Sequence, residues 1–235
     1  MTQRMMDAIV KPIAGEGLEL RQVPVPTPKA GEVLIKIHKT AICGSDVHIY
    51  CWNDWAAQHV KPGMTIGHEY VGEIAALGEG VTGFTIGQRV SGEGHITCGH
   101  CRNCHSGNIQ WCIDHIGVGV DRDGAFAEYV RVPVWNLVPI PDSLSFEEAA
   151  MTEPCAVALH ALRRAQIEVG DNVVIFGPGT IGMLIAQWAR AWGARVLLVG
   201  TDVNNWDFIE SMGFTEYCNS SKEDAIEWVK KMTGG

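Results

Sequence analysis

From Met6 to Tyr129 the chain alternates short apolar, β-branched runs with glycine and proline punctuation: Val33 to Ile37, Tyr70 to Ile74 and Phe126 to Val130. That texture predicts a mostly β domain of short strands. The stretch Val23 to Pro28 carries Pro24, Pro26 and Pro28, which lack ladder donors, so it is expected as a connector or a sheet edge. Past Pro141 the period changes. Ser145 to Arg164 sets apolar residues at helical spacing among alanine, leucine and glutamate, with Ser143 or Ser145 placed to cap a helix. Asn172 to Phe176 is a continuous apolar run suited to a strand buried on both faces. After a glycine turn, Ile181 to Trp192 reads as a helix stopped by Gly193, and Arg195 to Val199 as a second buried strand. This βαβ unit opens a second domain, and no internal repeat or low-complexity tract interrupts either part. The expected fold class is α/β plus mostly β, with residues 1–145 as a β-rich domain and 146–235 as the start of a nucleotide-binding one.

Composition narrows the function classes. At 235 residues and 46% hydrophobic, the chain is long enough to bury a core. A net charge of −9, with no run of lysine or arginine to track phosphates, argues against a nucleic-acid partner. Met1 to Lys11 holds no apolar stretch of signal-peptide length, and no run elsewhere approaches a membrane span, so a cytoplasmic protein with no membrane partner is expected. Of the eight cysteines, four crowd between Cys98 and Cys112. In a chain of this length that points to metal binding before disulfides.

Cys98, Cys101, Cys104 and Cys112 follow C-x2-C-x2-C-x7-C. Closely spaced thiolates on one looped segment can fill a zinc tetrahedron with little backbone travel and leave no open position, so the lobe at 95–112 is expected to hold a structural zinc. Ferredoxin-type spacings are absent. His95, His100 and His105 are expected as surface residues beside it.

Gly177-Pro178-Gly179-Thr180-Ile181-Gly182 is G-x-G-x-x-G between the first buried strand and the helix, the context in which that motif binds a dinucleotide. Gly177 makes the tight turn, Gly179 lets the backbone approach a pyrophosphate, and Gly182 lets helix and strand pack closely. The second strand ends Val199-Gly200-Thr201-Asp202. Asp202 stands about where an acid binds the ribose hydroxyls; Gly200 and the small hydroxyl of Thr201 leave room for a 2′-phosphate, but no arginine follows to pair with one and Asp202 would repel it, which favours NAD over NADP.

Two further segments, Cys43-Gly44-Ser45-Asp46-Val47-His48 and Gly67-His68-Glu69-Tyr70-Val71-Gly72, carry little weight from spacing alone, as does the later Glu153-Pro154. With Gly78 to Val81 and the cysteine lobe, however, they make the sequence resemble the zinc-containing medium-chain dehydrogenases over nearly its whole length. The resemblance implies a GroES-like catalytic domain followed by a partial Rossmann domain, and a catalytic zinc with Cys43 and His68 as ligands. Glu69 and Glu153 would supply the remaining carboxylates, which of them touches metal being left open. Ser45 and His48 match the positions that relay the alcohol proton. Asp46 is open between a turn-stabilising side chain and a carboxylate that orients a ligand. The implied reaction is oxidation of a small secondary alcohol with hydride transfer to NAD. Ile42 to Tyr50, Ser91 to Cys98 and Ile116 to Val120 resemble the threonine branch, whereas Thr152 to His160 is more similar to the polyol branch, the threonine branch typically carrying aspartate in place of Glu153. Full-length members are homodimers or homotetramers and continue for about another hundred residues beyond a half-complete nucleotide fold. A truncated enzyme and a non-catalytic zinc-binding fragment acting as an interaction module are therefore both expectations. Trp52 and Trp55 are expected in a core rather than a substrate cleft, and Cys51, Cys155 and Cys218 as ordinary thiols.

Overall fold

The computed structural model describes residues 3–201 and 206–235, and the chain divides into two compact units between Glu153 and Pro154. In the first, β1 (Met5–Val10) and β2 (Glu19–Pro24) form an antiparallel ribbon. Met6, Ala8 and Val10 point inward and the residues between them outward, as the two-residue period of a strand requires. Pro24 closes β2, which pairs with β1 alone. Then come β3 (Glu32–Ala41), α1 (Gly44–Cys51), α2 (Asp54–His59), β4 (Glu69–Leu77), β5 (Arg89–Gly92), β6 (His95–Ile96), α3 (Arg102–His105), β7 (Ile116–Gly117), β8 (Tyr129–Pro133), β9 (Leu137–Pro139) and α4 (Phe146–Ala149). Five strands make one antiparallel sheet in the order β8-β3-β4-β5-β9, with Val33, Ile35, Ile74, Val90, Val130 and Val132 at its core.

Charged side chains pin this sheet at its ends. Glu32, at the start of β3, takes Arg122 at 3.1 Å and Arg131 at 3.0 Å, and these guanidinium partners with the Lys29 amide hold its carboxyl below the usual range despite burial. Arg89 donates to the carbonyls of Pro141 and Asp142 and lies over the Phe146 ring at 4.3 Å, fixing the entry to α4.

The single helix expected from Ser145 to Arg164 is two. Ser145 caps α4 through a box with Glu148, and Ala149 and Ala150 bury against Val71 and Ile140 of the first unit. The chain then restarts as α5 (Thr152–Ala165). α4 therefore packs with the β-rich unit, which runs to Glu153. Phe126 to Glu128, read as strand, precede β8: Phe126 bonds Ile9 through its carbonyl and Ile66 through its amide instead of joining the ladder.

In the second unit β10 (Asn172–Phe176), α6 (Thr180–Ala191), β11 (Arg195–Gly200), α7 (Trp206–Ser211), β12 (Tyr217–Asn219) and α8 (Ala225–Thr233) follow in turn. The three strands are parallel in the order β10-β11-β12, the first half of a doubly wound sheet. Met183 and Ala186 of α6 pack on Ile175 and Leu198. No helix among the described residues is long and apolar enough to cross a membrane.

Candidate metal centres and nucleotide turn

In the loop that carries α3, Cys98, Cys101, Cys104 and Cys112 place their sulfurs within 4.8 Å of one another. Cys101 and Cys104 are 3.5 Å apart and Cys98 and Cys104 4.0 Å. A disulfide needs about 2.05 Å, whereas four bonds of about 2.3 Å to a tetrahedral zinc set sulfurs about 3.8 Å apart. The loop turns its amides inward: Cys101 donates to the Cys98 sulfur and Cys98 to the Cys112 sulfur, both at 3.3 Å. Amides of Cys104 and Ile113 hold the Cys101 thiol well below its usual range, while burial pushes Cys104 up. The donor set and spacing fit zinc. A further grouping of Cys98 with His100 and Asp114 shares a sulfur with this tetrad, and its other two members are exposed.

A second cluster is assembled by strand register. In the β3–β4 ladder Ala41 pairs with Glu69 and Thr40 with Tyr70, so the same register carried past the strand end brings Cys43 opposite Gly67 and His68. Gly67 makes this possible, with φ of 92° and a backbone so near the Phe126 ring, Gly119 and Gly124 that no side chain fits between them. Cys43, His68 and Glu69 thereby bring one ligand atom each within 4.8 Å, with Glu69 buried.

Asp46 supports the cluster twice. One carboxylate oxygen accepts the Cys43 amide at 2.9 Å, capping α1, and the other is buried 3.9 Å from His68 Nδ1. Neither that oxygen nor His68 Nδ1 has a hydrogen-bond partner among the described residues. A histidine whose Nδ1 faces a carboxylate is oriented to offer Nε2 to a metal. Thiolate, imidazole and carboxylate with one open position are the donor set of a catalytic zinc, so the residues fit it. The turn-stabilising reading of Asp46 holds through its bond to the Cys43 amide, while its other oxygen lies 3.9 Å from His68 Nδ1, beyond hydrogen-bond reach.

Glu153, in the first turn of α5, stands outside the 4.8 Å grouping. Burial and the Glu69 and Glu93 carboxylates push its pKa up to about 7. His95 belongs to the same field. Its Nδ1 is 2.7 Å from Glu93, which raises its pKa, and Glu153 adds to the rise. His95 is exposed, as its reading as a surface residue has it, and nothing in its local spacing signals the link to Glu153. Ser45 and His48 lie three apart on α1 and so share a face, half-buried and exposed respectively. Trp52 and Trp55 pack against Ile49, Ala56, Val60 and Ile66.

In the second unit Gly177 has φ of 89° and donates to the Val199 carbonyl at 2.8 Å, closing the turn after β10. A Cβ on Gly182 would lie 2.0 Å from the Gly177 carbonyl oxygen, so only glycine lets α6 come this close. Gly179 differs: its backbone is extended and a Cβ would meet no protein atom within 4 Å. What a side chain there would fill is the space before the N-terminus of α6, which no side chain caps. An uncapped helix N-terminus beside an unobstructed glycine is the arrangement at which a pyrophosphate binds. Pro178 is half-buried in the turn, while Thr180 and Ile181 open the helix. Thr201 follows β11, exposed, and accepts the Ser221 hydroxyl at 2.7 Å. Asp202 lies outside the described residues.

Residues 29–142 match the alcohol dehydrogenase GroES-like domain, and residues 180–235 match the zinc-binding dehydrogenase domain. The chain is 48% identical over 229 residues to an L-threonine 3-dehydrogenase of Stenotrophomonas maltophilia, covering 97% of this chain and 67% of that one. The chain belongs to the zinc-dependent medium-chain dehydrogenases. Solved structures agree. An alcohol dehydrogenase from E. coli CFT073 complexed with NADH matches with a TM-score of 0.88 at 31% identity, over 98% of this chain and 67% of that one. The galactitol-1-phosphate dehydrogenase of Escherichia coli matches at 0.87 and 31%, over 97% and 65%. The chain spans about two thirds of the length of the curated dehydrogenases it matches, 67% and 64% for the first two.

Proposed function

We propose that this chain carries the metal and nucleotide machinery for oxidising a secondary alcohol on a small polar substrate of the L-threonine or polyol type, with NAD as hydride acceptor. The convergence of Cys43, His68 and Glu69 within 4.8 Å carries the reading, because it supplies three unlike donors, the number a catalytic zinc takes from protein. A zinc held there would polarise the alcohol oxygen and ease loss of its proton, and a nicotinamide seated at the glycine turn would supply the hydride acceptor. Cys43, His68 and Glu69 hold the metal, and Glu153 is the reserve carboxylate. Asp46 keeps His68 aimed. Ser45 takes the substrate proton and His48, one helical turn on and exposed, passes it to solvent. Cys98, Cys101, Cys104 and Cys112 hold a second, structural zinc. Gly177 to Gly182 seat the pyrophosphate, with Thr201 and Asp202 at the ribose. L-threonine is the favoured substrate, since the relative named for it is 48% identical while the neighbour named for galactitol 1-phosphate is 31%. The cytoplasmic setting and homo-oligomeric state implied by the family accompany this reading.

The test is NAD reduction by the purified chain over L-threonine, sorbitol, inositols and simple secondary alcohols, with zinc measured on the same sample. Turnover with about two zincs per chain supports the proposal and names the substrate, and one zinc without turnover favours a zinc-binding fragment. The nucleotide site is tested separately with Gly179→Ala. A methyl there strains nothing in the protein but blocks the pyrophosphate, so NADH affinity should fall at least about tenfold with thermal stability unchanged. Equal NADH binding by wild type and G179A would remove the turn from the mechanism.

A further inference from the structure

Asn53 sits between the two short helices that follow Cys43. Its Oδ1 accepts the Ala56 amide at 3.0 Å as the N-cap of α2, and its Nδ2 lies 2.9 Å from His48 Nδ1. The cap decides the orientation of the amide. Turning it over would bring Nδ2 against the Ala56 N–H, donor against donor, and lose the cap, so the group facing His48 is the NH2. An amide NH2 only donates. His48 Nδ1 therefore accepts, and the neutral ring carries its hydrogen on Nε2. The backbone amide of Asn53 also donates to the His48 main-chain carbonyl at 3.3 Å, and the Trp55 ring meets the imidazole edge-on at 6.3 Å, a second contact beside the Asn53 side chain.

We infer that Asn53 is a positioning residue that locks His48 in the Nε2–H tautomer and gates its part in proton release. This rests on the reading of His48 as the exit of the relay. In the locked state neither ring nitrogen has a free lone pair: Nε2 bears hydrogen and Nδ1 accepts from Asn53. A proton can enter only at Nδ1 after the Asn53 bond opens, and the Nε2 hydrogen then leaves to water; the neutral ring is left in the Nδ1–H form and returns to the locked tautomer by taking a proton from water at Nε2 and giving up the one at Nδ1 as the Asn53 bond re-forms. Opening that bond leaves the α2 cap in place, because Oδ1 and Nδ2 serve different partners.

The experiment is nitrogen-15 NMR of histidine-labelled chain at a pH where His48 is neutral, with the His48 resonances assigned by their loss in H48Q. Wild type should show Nε2 protonated and Nδ1 as the acceptor. Asn53→Asp keeps a strong cap but presents a carboxylate oxygen to the ring, so the tautomer should invert to Nδ1–H. Asn53→Ser keeps a cap without the donor and should show both tautomers. A cap with no hold on the ring would leave the pattern alike in all three proteins. An Nδ1–H signal in wild type, or no inversion in N53D, overturns the inference. Full NAD reduction by H48Q would instead sink the relay reading, while the tautomer is read independently of turnover.

Discussion

Cys98, Cys101, Cys104 and Cys112 reach one another because a single short loop turns back on itself, whereas Cys43 and His68 meet only because β3 and β4 pair in one register and Gly67 lets the chain pass. The first arrangement depends on little beyond its own segment, in which Cys101 and Cys112 are buried and Cys98 and Cys104 half-buried. The second borrows its geometry from a sheet that exists without it, and adds a supporting side chain, Asp46. A metal in the loop therefore holds structure, while a metal in the assembled cluster is held by structure. Damage to the two should register on different instruments, one in folding and the other in affinity and turnover.

The largest effect is expected in the loop. Cys112→Ser replaces a buried sulfur with a hydroxyl that is a poor zinc ligand, so zinc content should fall by about one per chain and the first unit should lose several kcal/mol, seen as a much lower melting temperature and soluble yield. A C112S protein that loses zinc yet melts like wild type would break the contrast. Asp46→Asn comes next. Asparagine still caps α1 but brings no charge to His68 Nδ1, so zinc affinity at the assembled cluster should drop roughly 10–100-fold while folding stays within about 1 kcal/mol of wild type. Competition with a metal chelator measures the first quantity and urea unfolding the second. Unchanged zinc affinity would reduce Asp46 to a helix cap.

The same contrast explains what could be read from the sequence. Spacing along the chain encodes proximity inside one loop, so the cysteine tetrad was legible from four positions and the valence of zinc. The nucleotide turn was legible for the same reason, its three glycines acting between a strand and the next helix. The assembled cluster is a consequence of ladder register, and a one-residue slip would separate Cys43 from His68 without altering any local pattern. Only resemblance connected those segments in advance. The charge field joining Glu93, His95 and Glu153 is harder still, because it depends on where α5 starts, and the interruption of the expected helix at Ala150 and Met151 moves that start. Asn53 carries no composition signal at all. Its role follows from one amide that is committed on both sides.

The smallest effect, and the finest test of the contrast, concerns Glu153. Its carboxyl is raised from an ordinary 4.5 to about 7 by burial and by Glu69 and Glu93. A raised acid binds its proton more tightly in the folded chain than in the unfolded one. Its stabilising contribution is then complete below about pH 4.5 and is lost as pH rises toward 7. Half-burial lets solvent screen the repulsion, so the loss should come to about 1 kcal/mol. Asp46 is also raised and Glu93 lowered, so the whole-protein curve mixes opposite slopes. The difference between wild type and Glu153→Gln, taken by urea unfolding across that window after removal of zinc from the assembled cluster alone, isolates the one group. E153Q should gain on wild type as pH rises, and restoring zinc should shrink the gain, because a cation among Glu69, Glu93 and Glu153 turns their mutual repulsion into shared attraction. The cysteine loop offers an internal control: it has no carboxylate among its four donors, so its occupancy should leave this difference curve where it is.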